Sequence, residues 1–285
     1  MTRMIVAISI FRLAGLFTEP MLSDREIHQI TSGSAAPAVE QALPDHLRVV
    51  TWNIERGVQF TAIAATLLRL DADVILLQEV DRFADRSGKR DVARDLATHL
   101  GMHWTTLGEF QEIGQGGQGR SAISNQAILS RFPITNAKAI VFARQVQWRW
   151  KLNPVQPRRG GRVALRADTA GVTFYDLHLE STGSDPVRQD QLEEVLHDDA
   201  SRSSRVRIVA GDFNTGDRAR QPLLQRMAAA AFADALGDAT GRKTSIRHEH
   251  PIDWIFVTSG VSAAGHVEKV DGASDHYPLV ATVMR

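Results

Sequence analysis

Side chains with acid, amide or imidazole groups recur where apolar segments of this chain end. Asn53 and Glu79 each end a run typical of a buried strand, and His178 stands near the end of a third. Asp212 and Asn214 end a fourth. Any one such residue is usually a turn former. A sheet that gathers these strand ends along one edge would also gather their side chains, so we interpret them as one site.

Three more polar residues hold comparable positions further along the chain. Asp253 begins an apolar strand, and Asp275 and His276 immediately precede the last one. Acids combined with two imidazoles and two carboxamides predict a site for a hard cation and an anionic substrate. Mg²⁺ prefers oxygen ligands, and a metal ion neutralises the charge that makes a phosphoester resist attack. A carboxylate beside an imidazole can orient or deprotonate a water molecule.

The elements that would position these residues are short strands, some of them separated by helices. Periodicity and β-branched apolar runs predict strands at 47–53, 73–79, 125–130, 161–168, 172–180, 206–214, 252–257 and 278–284. Amphipathic patterns predict helices at 61–70, 91–100 and 186–200. Because strands outnumber helices, the pattern favours two mixed sheets packed face to face, with helices covering both outer faces.

The composition narrows the chemistry that this chain can perform. The chain has 285 residues, of which 43% are hydrophobic and 23% charged, as in ordinary globular proteins. Its 33 basic and 33 acidic residues cancel, which argues against a nuclease that binds nucleic acid tightly and without sequence preference. The sequence contains no cysteine. Disulfides, thiolate metal sites and a cysteine nucleophile are therefore excluded.

The first 45 residues differ from the rest of the chain. Residues 5–17 form an apolar run that Arg12 interrupts, and the run is too short to span a bilayer. A signal peptide is one interpretation, although Arg12 breaks its apolar region. We expect residues 1–45 to be a poorly ordered or amphipathic extension and residues 46–285 to be one folded domain. We accordingly expect a cytoplasmic protein, with export or membrane association as the alternative.

A basic segment without acids lies between residues 144 and 166, and Trp148 and Trp150 are interleaved with its basic residues. Such a segment could track phosphates and stack on bases, or it could contact lipid headgroups. Alternatively, it is a solvated loop whose tryptophans pack back on the domain. The first two interpretations would favour an extended or amphiphilic substrate.

Six short motifs give the sequence a family resemblance. TWNIERG, LLQEVD, LHLES, GDFN, IDWIFV and SDH occur in the order typical of the endonuclease/exonuclease/phosphatase superfamily, which the sequence resembles from Leu47 onward. Each motif is weakly specific alone, whereas all six in order are strongly specific. The resemblance implies an α/β (α+β) fold, namely a four-layer α/β/β/α sandwich of two mixed sheets with outer helices. It places the site between the tops of the sheets.

The resemblance also implies which residues bind a metal ion. Glu79 would be the principal Mg²⁺ ligand, and Mn²⁺ could substitute for Mg²⁺. Asn53 and Asp275 would assist at the metal, directly or through water. Glu55 falls where relatives often carry an acid, so it joins the expected metal site.

The remaining five residues would act on the substrate or on water. Asp212 would position or deprotonate the attacking water, while Asn214 and His178 would contact the scissile phosphate. His276 would act on the phosphate or the water, paired with Asp253. An Asp before an aromatic residue could instead only cap a turn, but an imidazole base needs an orienting carboxylate. The general base is left open between Asp212 and the His276–Asp253 pair.

These residues together predict a Mg²⁺-dependent hydrolase that cleaves a phosphoester by metal-assisted in-line attack of water. A phosphodiester is the first expectation, in nucleic acid or a phospholipid headgroup. A phosphorylated small molecule or lipid, cleaved as a monoester, is the alternative. A non-catalytic scaffold of the same fold should have lost Glu79, Asp212 or His276, and all three are present. We expect a monomer without an obligate protein partner.

Overall fold

The computed structural model describes residues 19–36, 42–117, 119–146, 157–182 and 184–284. Its strands are β1 (Ile30–Ser34), β2 (His46–Asn53), β3 (Val74–Arg82), β4 (His103–Glu112), β5 (Ile123–Ser130), β6 (Thr135–Val141), β7 (Arg158–Gly160), β8 (Val163–Thr169), β9 (Val172–His178), β10 (Arg207–Asp212), β11 (Phe232–Asp234), β12 (Asp253–Thr258), β13 (Ala263–Val267) and β14 (Leu279–Met284). Its α-helices are α1 (Asp24–Ile27), α2 (Phe60–Leu70), α3 (Val92–Leu100), α4 (Asp185–Asp199) and α5 (Asp217–Ala229), with 3₁₀ turns at Glu55–Gly57 and Asp85–Ser87.

The strands form two mixed sheets. The first has the order β1-β4-β5-β3-β2-β14-β13, with β7 also paired to β4, and the second has the order β11-β12-β10-β9-β8-β6. Each sheet has one parallel pair of strands near its middle: β2 with β3 in the first sheet, and β9 with β10 in the second. Their carboxyl ends therefore meet at one edge, where the predicted site residues belong.

The core has three layers of apolar contacts, which makes the molecule a four-layer α/β/β/α sandwich, as predicted. Between the two sheets pack buried side chains that include Leu76, Ile128 and Phe174. The outer face of the first sheet is covered by α2 and α3 through residues such as Leu67 and Leu96. The outer face of the second sheet packs on residues of α4 and α5. Because both faces of each sheet are covered, central strands such as β5 and β9 are buried along their whole length.

The sequence predicted the helices and strands that have a clear apolar pattern, and it missed those in which polar and apolar residues alternate irregularly. The helices predicted at 61–70, 91–100 and 186–200 begin and end within one residue of α2, α3 and α4. Helix α5 was not predicted, because Pro222 interrupts its pattern and only Leu223 and Met227 are buried. Strand β4 was also missed, since it buries polar residues such as Glu109 rather than an apolar run.

The domain boundary expected at residue 46 is too late in the chain. Strand β1 pairs antiparallel with β4 and so belongs to the first sheet. The buried Glu19 carboxylate accepts hydrogen bonds from the backbone N–H groups of Gly114 and Ala122, at 2.8 and 3.1 Å. Residues 19–36 are therefore ordered by pairing with the domain. The apolar run at 5–17 lies outside the described residues, and among those described no helix is long and apolar enough to cross a membrane.

Candidate active site

One polar pocket opens where the two sheets meet at the ends of their parallel strands. Asn53 is the last residue of β2, His178 the last of β9 and Asp212 the last of β10. In the ladder Asp212 is the partner of His178 on one side and of Asp253 on the other. Seven of the nine predicted site residues line this pocket: Asn53, Glu79, His178, Asp212, Asn214, Asp275 and His276. The structure thus brings the predicted residues together.

Glu79 enters the pocket from the middle of a strand, not from a strand end as the sequence predicted. Strand β3 continues to Arg82, and its pairing with β5 shifts register between Leu77 and Val80. Glu79 stands in this bulge with a left-handed backbone, at φ 53°. An extra residue in one strand turns a side chain away from its regular direction. The bulge therefore directs the Glu79 carboxylate into the pocket while β3 remains part of the sheet.

The charge of Glu79 is maintained by neighbouring guanidinium groups. Burial alone would raise the pKa of this carboxyl, but Arg56, Arg158 and Arg162 outweigh burial and hold the pKa of Glu79 below its ordinary value. The Arg56 Nε atom lies 3.6 Å from Glu79 Oε2. Glu79 is therefore a carboxylate at neutral pH, which is the form that can bind a metal ion.

Asp212 lies at the centre of the pocket's hydrogen-bond network. Its carboxylate accepts hydrogen bonds from Asn53 Nδ2 at 3.2 Å and from the backbone N–H of Asn214 at 2.9 Å. His178 Nε2 and His276 Nε2 lie 3.5 and 3.9 Å from Asp212 Oδ2. Burial, reinforced by the nearby Asp253, raises the pKa of Asp212 to about 7. The group can therefore exchange a proton near neutrality.

His276 and Asp253 form the pair that the sequence predicted. His276 Nδ1 lies 3.0 Å from both carboxylate oxygens of Asp253, and both residues are buried. Burial opposes the charged imidazole, but Asp253 and Asp212 outweigh it and raise the pKa of His276 to about 10. The Trp52 indole N–H donates to the His276 carbonyl oxygen at 2.9 Å and so fixes the backbone. This arrangement presents a protonated Nε2 to the pocket.

Asn214 and His178 complete the wall next to Asp212. Asn214 has a left-handed backbone, at φ 48°, and its Nδ2 donates to the Leu179 carbonyl oxygen at 3.0 Å. Gly211 explains how β10 lies so close to β9: a Cβ there would meet the Leu177 carbonyl oxygen at 2.0 Å. Burial holds the pKa of His178 well below its ordinary value. His178 therefore meets a substrate as a neutral ring.

Comparison with known proteins gives this geometry a family. The model of the Endonuclease/Exonuclease/phosphatase family matches residues 50–276, which is most of the chain.

The chain belongs to this family. Its members are phosphoesterases, and they generally depend on divalent metal ions. No curated protein matches the sequence.

Solved structures agree with the assignment to the Endonuclease/Exonuclease/phosphatase family. An endonuclease/exonuclease/phosphatase from Beutenbergia cavernae is 25% identical, with a TM-score of 0.65, over 85% of this chain and 72% of that chain. A mannosyl-6-phosphatase from Bacteroides thetaiotaomicron is 16% identical, with a TM-score of 0.57, over 84% of this chain and 100% of that chain. TDP2 from Caenorhabditis elegans is 18% identical, with a TM-score of 0.54, over 84% and 74%. The latter two share the fold with this chain.

The oxygen-bearing residues of this family member form a donor set that suits a hard divalent cation. The Glu79 and Asp275 side chains are 21% and 20% exposed and line the pocket with Asn53. Positive charge already stands beside them, since the Arg247 guanidinium lies 3.1 Å from Asp275 Oδ2 and 3.9 Å from Glu55 Oε1. Carboxylate and amide oxygens are what Mg²⁺ prefers, so the residues fit such an ion.

A second group of acidic and imidazole side chains at the pocket is better explained as residues that transfer protons than as metal ligands. Ligand atoms of Asp212, Asp253 and His276 all lie within 4.8 Å of one another. His276 Nδ1, however, is taken up by the hydrogen bond to Asp253, and the pKa of His276, raised to about 10, keeps the ring protonated at Nε2 as well. The four residues predicted as ligands, Asn53, Glu55, Glu79 and Asp275, remain the metal prediction.

Two residues that line the pocket were not predicted to belong to the site. Arg158 and Arg162, taken for part of a basic surface or a solvated loop, are buried and line the pocket. Each is ion-paired with a glutamate of β4, Arg158 with Glu112 at 2.7 Å and Arg162 with Glu109 at 2.8 Å. A run of arginines without acids was the available signal, but its partners lie in the strand that was not predicted. Trp148 and Trp150 lie outside the described residues.

Proposed function

We propose that the protein is a Mg²⁺-dependent phosphoester hydrolase, with a phosphodiester as its first substrate class. The observation that carries this proposal is the coexistence in one pocket of the ionised Glu79 with Asp212 and the His276–Asp253 pair. A metal ion held by Glu79 with Asn53, Asp275 and Glu55 would neutralise substrate charge and stabilise the leaving oxygen. Proton transfer and phosphate binding would be carried out by side chains of the protein.

Asp212 is the group that would take the proton of the attacking water. Its pKa of about 7 is close to the pH at which a general base works best. The pKa of His276 is raised to about 10, so its imidazolium has no acceptor for that proton. These pKa values favour Asp212 over the His276–Asp253 pair as the general base, a choice that the sequence left open. His276 would instead donate a hydrogen bond to a phosphate oxygen.

Neutral donors around Asp212 would bind the phosphate. Asn214 presents an amide group, and His178 presents a ring whose lowered pKa keeps it neutral. Preorganised donors stabilise the charge that develops on equatorial oxygens during phosphoryl transfer. Arg158 and Arg162 also line the pocket and add positive charge to it.

Different features favour a diester and a monoester as the substrate. The loops bearing Glu55 and Arg247 also carry exposed apolar side chains, with Val58 45% and Ile246 49% exposed. A diester could place its second ester group against them. A monoesterase is the second candidate, because buried guanidinium groups such as Arg162 suit a dianion, and because the fold is similar to that of a mannosyl-6-phosphatase.

A substrate panel tests this proposal. The purified protein would be assayed with bis-p-nitrophenyl phosphate, p-nitrophenyl phosphate, abasic and single-stranded DNA, a 5′-tyrosyl oligonucleotide, sphingomyelin, inositol phosphates and mannose 6-phosphate. Each assay would be run with Mg²⁺, with Mn²⁺ and with EDTA. We expect hydrolysis of diesters that EDTA abolishes. A preference for monoesters would favour the second candidate, and metal-independent turnover would contradict the proposal.

A further inference from the structure

Gln78 is a fully buried polar residue in the bulge of β3, directly before Glu79. Its side chain points away from the pocket network described above and into the space between the two sheets. Most of that space is filled by apolar residues such as Leu76, Phe174 and Ala210. A polar side chain at such a place is costly to bury unless its hydrogen bonds are made.

Gln78 bonds to the two strands that end in other site residues. Its Nε2 donates to Thr51 Oγ1 on β2 at 3.1 Å, and to Asp176 Oδ1 on β9 in the other sheet at 2.5 Å. Thr51 lies two residues before Asn53, and Asp176 lies two residues before His178. Residues two apart in a strand point to the same face. One amide group therefore connects the strands that present Asn53, Glu79 and His178.

The contact between Gln78 and Asp176 links the two sheets, and it leaves part of each side chain without a hydrogen bond. Both side chains are fully buried, and within the described part of the chain Gln78 Oε1 and Asp176 Oδ2 have no hydrogen-bond partner of ordinary geometry, although the Ala127 backbone N–H also acts on the Asp176 carboxyl. Such partly satisfied pairs are often less stabilising than apolar residues of the same size, and in some proteins they specify one arrangement of the chain. The arrangement in question here is that of β3 against β9, next to the pocket.

We propose that Gln78 and Asp176 are positioning residues for the metal site. This inference rests on the proposed function, in which Glu79 is a metal ligand. The hydrogen bond from Gln78 to Asp176 fixes β3 against β9 at the bulge. It thereby sets the direction of the Glu79 carboxylate relative to His178 and Asp212. Neither residue lines the pocket. Residues that hold metal ligands in position without touching the metal usually affect the affinity for the metal.

The structure offers a matched control for this contact. Gln126 on β5 is also a fully buried glutamine that bridges the sheets. Its Nε2 donates to the Val163 carbonyl oxygen at 2.7 Å, and its Oε1 accepts from the Leu165 backbone N–H at 3.1 Å. Gln126 does not precede a predicted ligand. The same substitution at the two positions therefore separates positioning of Glu79 from general loosening of the sheet packing.

The proposal is tested by measuring the affinity for Mn²⁺. EDTA-treated protein is titrated with Mn²⁺, and the concentration of free Mn²⁺ is measured by electron paramagnetic resonance. We expect Gln78→Met to weaken Mn²⁺ binding about 10-fold or more, while Gln126→Met binds Mn²⁺ like the unchanged protein. Asp176→Asn, which keeps an oxygen acceptor for Gln78, should bind Mn²⁺ close to normally, and Asp176→Leu should resemble Gln78→Met. Thermal melting of each variant shows that it is folded.

Two results would overturn the proposal. The first is that Gln78→Met and Asp176→Leu are folded and bind Mn²⁺ with unchanged affinity. The second is that Gln126→Met weakens Mn²⁺ binding as much as Gln78→Met does. Should Gln78→Met fail to fold, the comparison of Asp176→Asn with Asp176→Leu decides in the same way. A failure of the proposed function is seen separately, because the unchanged protein would then bind no Mn²⁺, and the positioning role would fail with it.

Discussion

The imidazole Nδ1 of His276 lies 3.0 Å from both carboxylate oxygens of Asp253. This contact joins the start of β12 to the segment before β14, and so joins the two sheets at the pocket. An orienting carboxylate of this kind fixes the ring and stabilises its protonated form. The ring's other nitrogen is left facing Asp212.

Asp253→Asn should impair catalysis without unfolding the protein. The amide preserves the shape of the side chain but removes the charge that holds His276 protonated. We expect kcat/KM to fall by about 10²- to 10⁴-fold, the range that a positioned acid–base group contributes. The measurement is steady-state hydrolysis of bis-p-nitrophenyl phosphate with Mg²⁺, with circular dichroism to verify folding. A loss smaller than threefold would show that the pair has no part in the chemistry.

The pH dependence of kcat/KM should be bell-shaped. Asp212 must be deprotonated to accept a proton, so activity rises with pH through its pKa of about 7. His276 must stay protonated, so activity falls at high pH, towards its pKa of about 10. Asp253 raises both pKa values, and in Asp253→Asn both limbs should therefore move to lower pH. A variant whose alkaline limb stays in place would contradict the assignment to His276.

The buried ion pair between Glu109 and Arg162 should contribute strongly to the integrity of the pocket. Both side chains are almost fully buried, at 2.8 Å. Burial raises the pKa of Glu109 to about 7, so the pair is fully charged only at higher pH. At pH 8.5, Glu109→Gln removes the carboxylate from the Arg162 guanidinium, and breaking a buried pair typically costs about 3–5 kcal/mol of unfolding free energy. Urea denaturation measures this loss. Glu193→Gln is the control, because its pair with Arg226 is exposed and such pairs contribute only about 0–1 kcal/mol. Equal effects of the two substitutions would be inconsistent with the buried geometry.

Gly211→Ala should separate β10 from β9. Gly211 has φ 138°, and its added Cβ would meet the Leu177 carbonyl oxygen at 2.0 Å. The backbone conformation alone costs a residue with a side chain about 1–3 kcal/mol, and the overlap adds to this. Gly237→Ala, at φ 72° with open space around it, is the milder control. Urea denaturation should rank Gly211→Ala as the less stable variant, and the reverse order would refute the close approach of these strands.

The sequence predicted the site better than the path of the chain around it. The positions of Asn53, Asp212 and Asp275 next to apolar runs pointed to the pocket. Asn53 and Asp212 end parallel strands, and Asp275 precedes β14, which runs antiparallel to β2 and so begins at the same edge. Glu79 was found for an incomplete reason: it was taken for a strand end, whereas a bulge presents it from mid-strand. Local periodicity cannot show a bulge, since the register depends on the partner strand.

The missed residues share a physical cause. Glu109 and Arg162 are charged residues buried as a pair between elements far apart in the sequence. Each alone has the character of a surface residue, and only tertiary pairing makes burial possible. Likewise β1 was missed, because it is a half-exposed edge strand of ITSGS whose pairing with β4 comes from the fold. Hydrophobic patterning has no signal for such contacts.

The central claim is that Glu79 binds a divalent cation on which phosphoester hydrolysis depends. The most direct measurement is the rate of bis-p-nitrophenyl phosphate hydrolysis as a function of Mg²⁺ concentration for the unchanged protein, Glu79→Gln and Glu268→Gln. Glu268 is a control acid that pairs with Arg69 outside the pocket. We predict saturable activation by Mg²⁺ that EDTA reverses, retained in Glu268→Gln and reduced at least about 10²-fold in Glu79→Gln. Unchanged Mg²⁺-dependent activity in a folded Glu79→Gln variant would contradict the account.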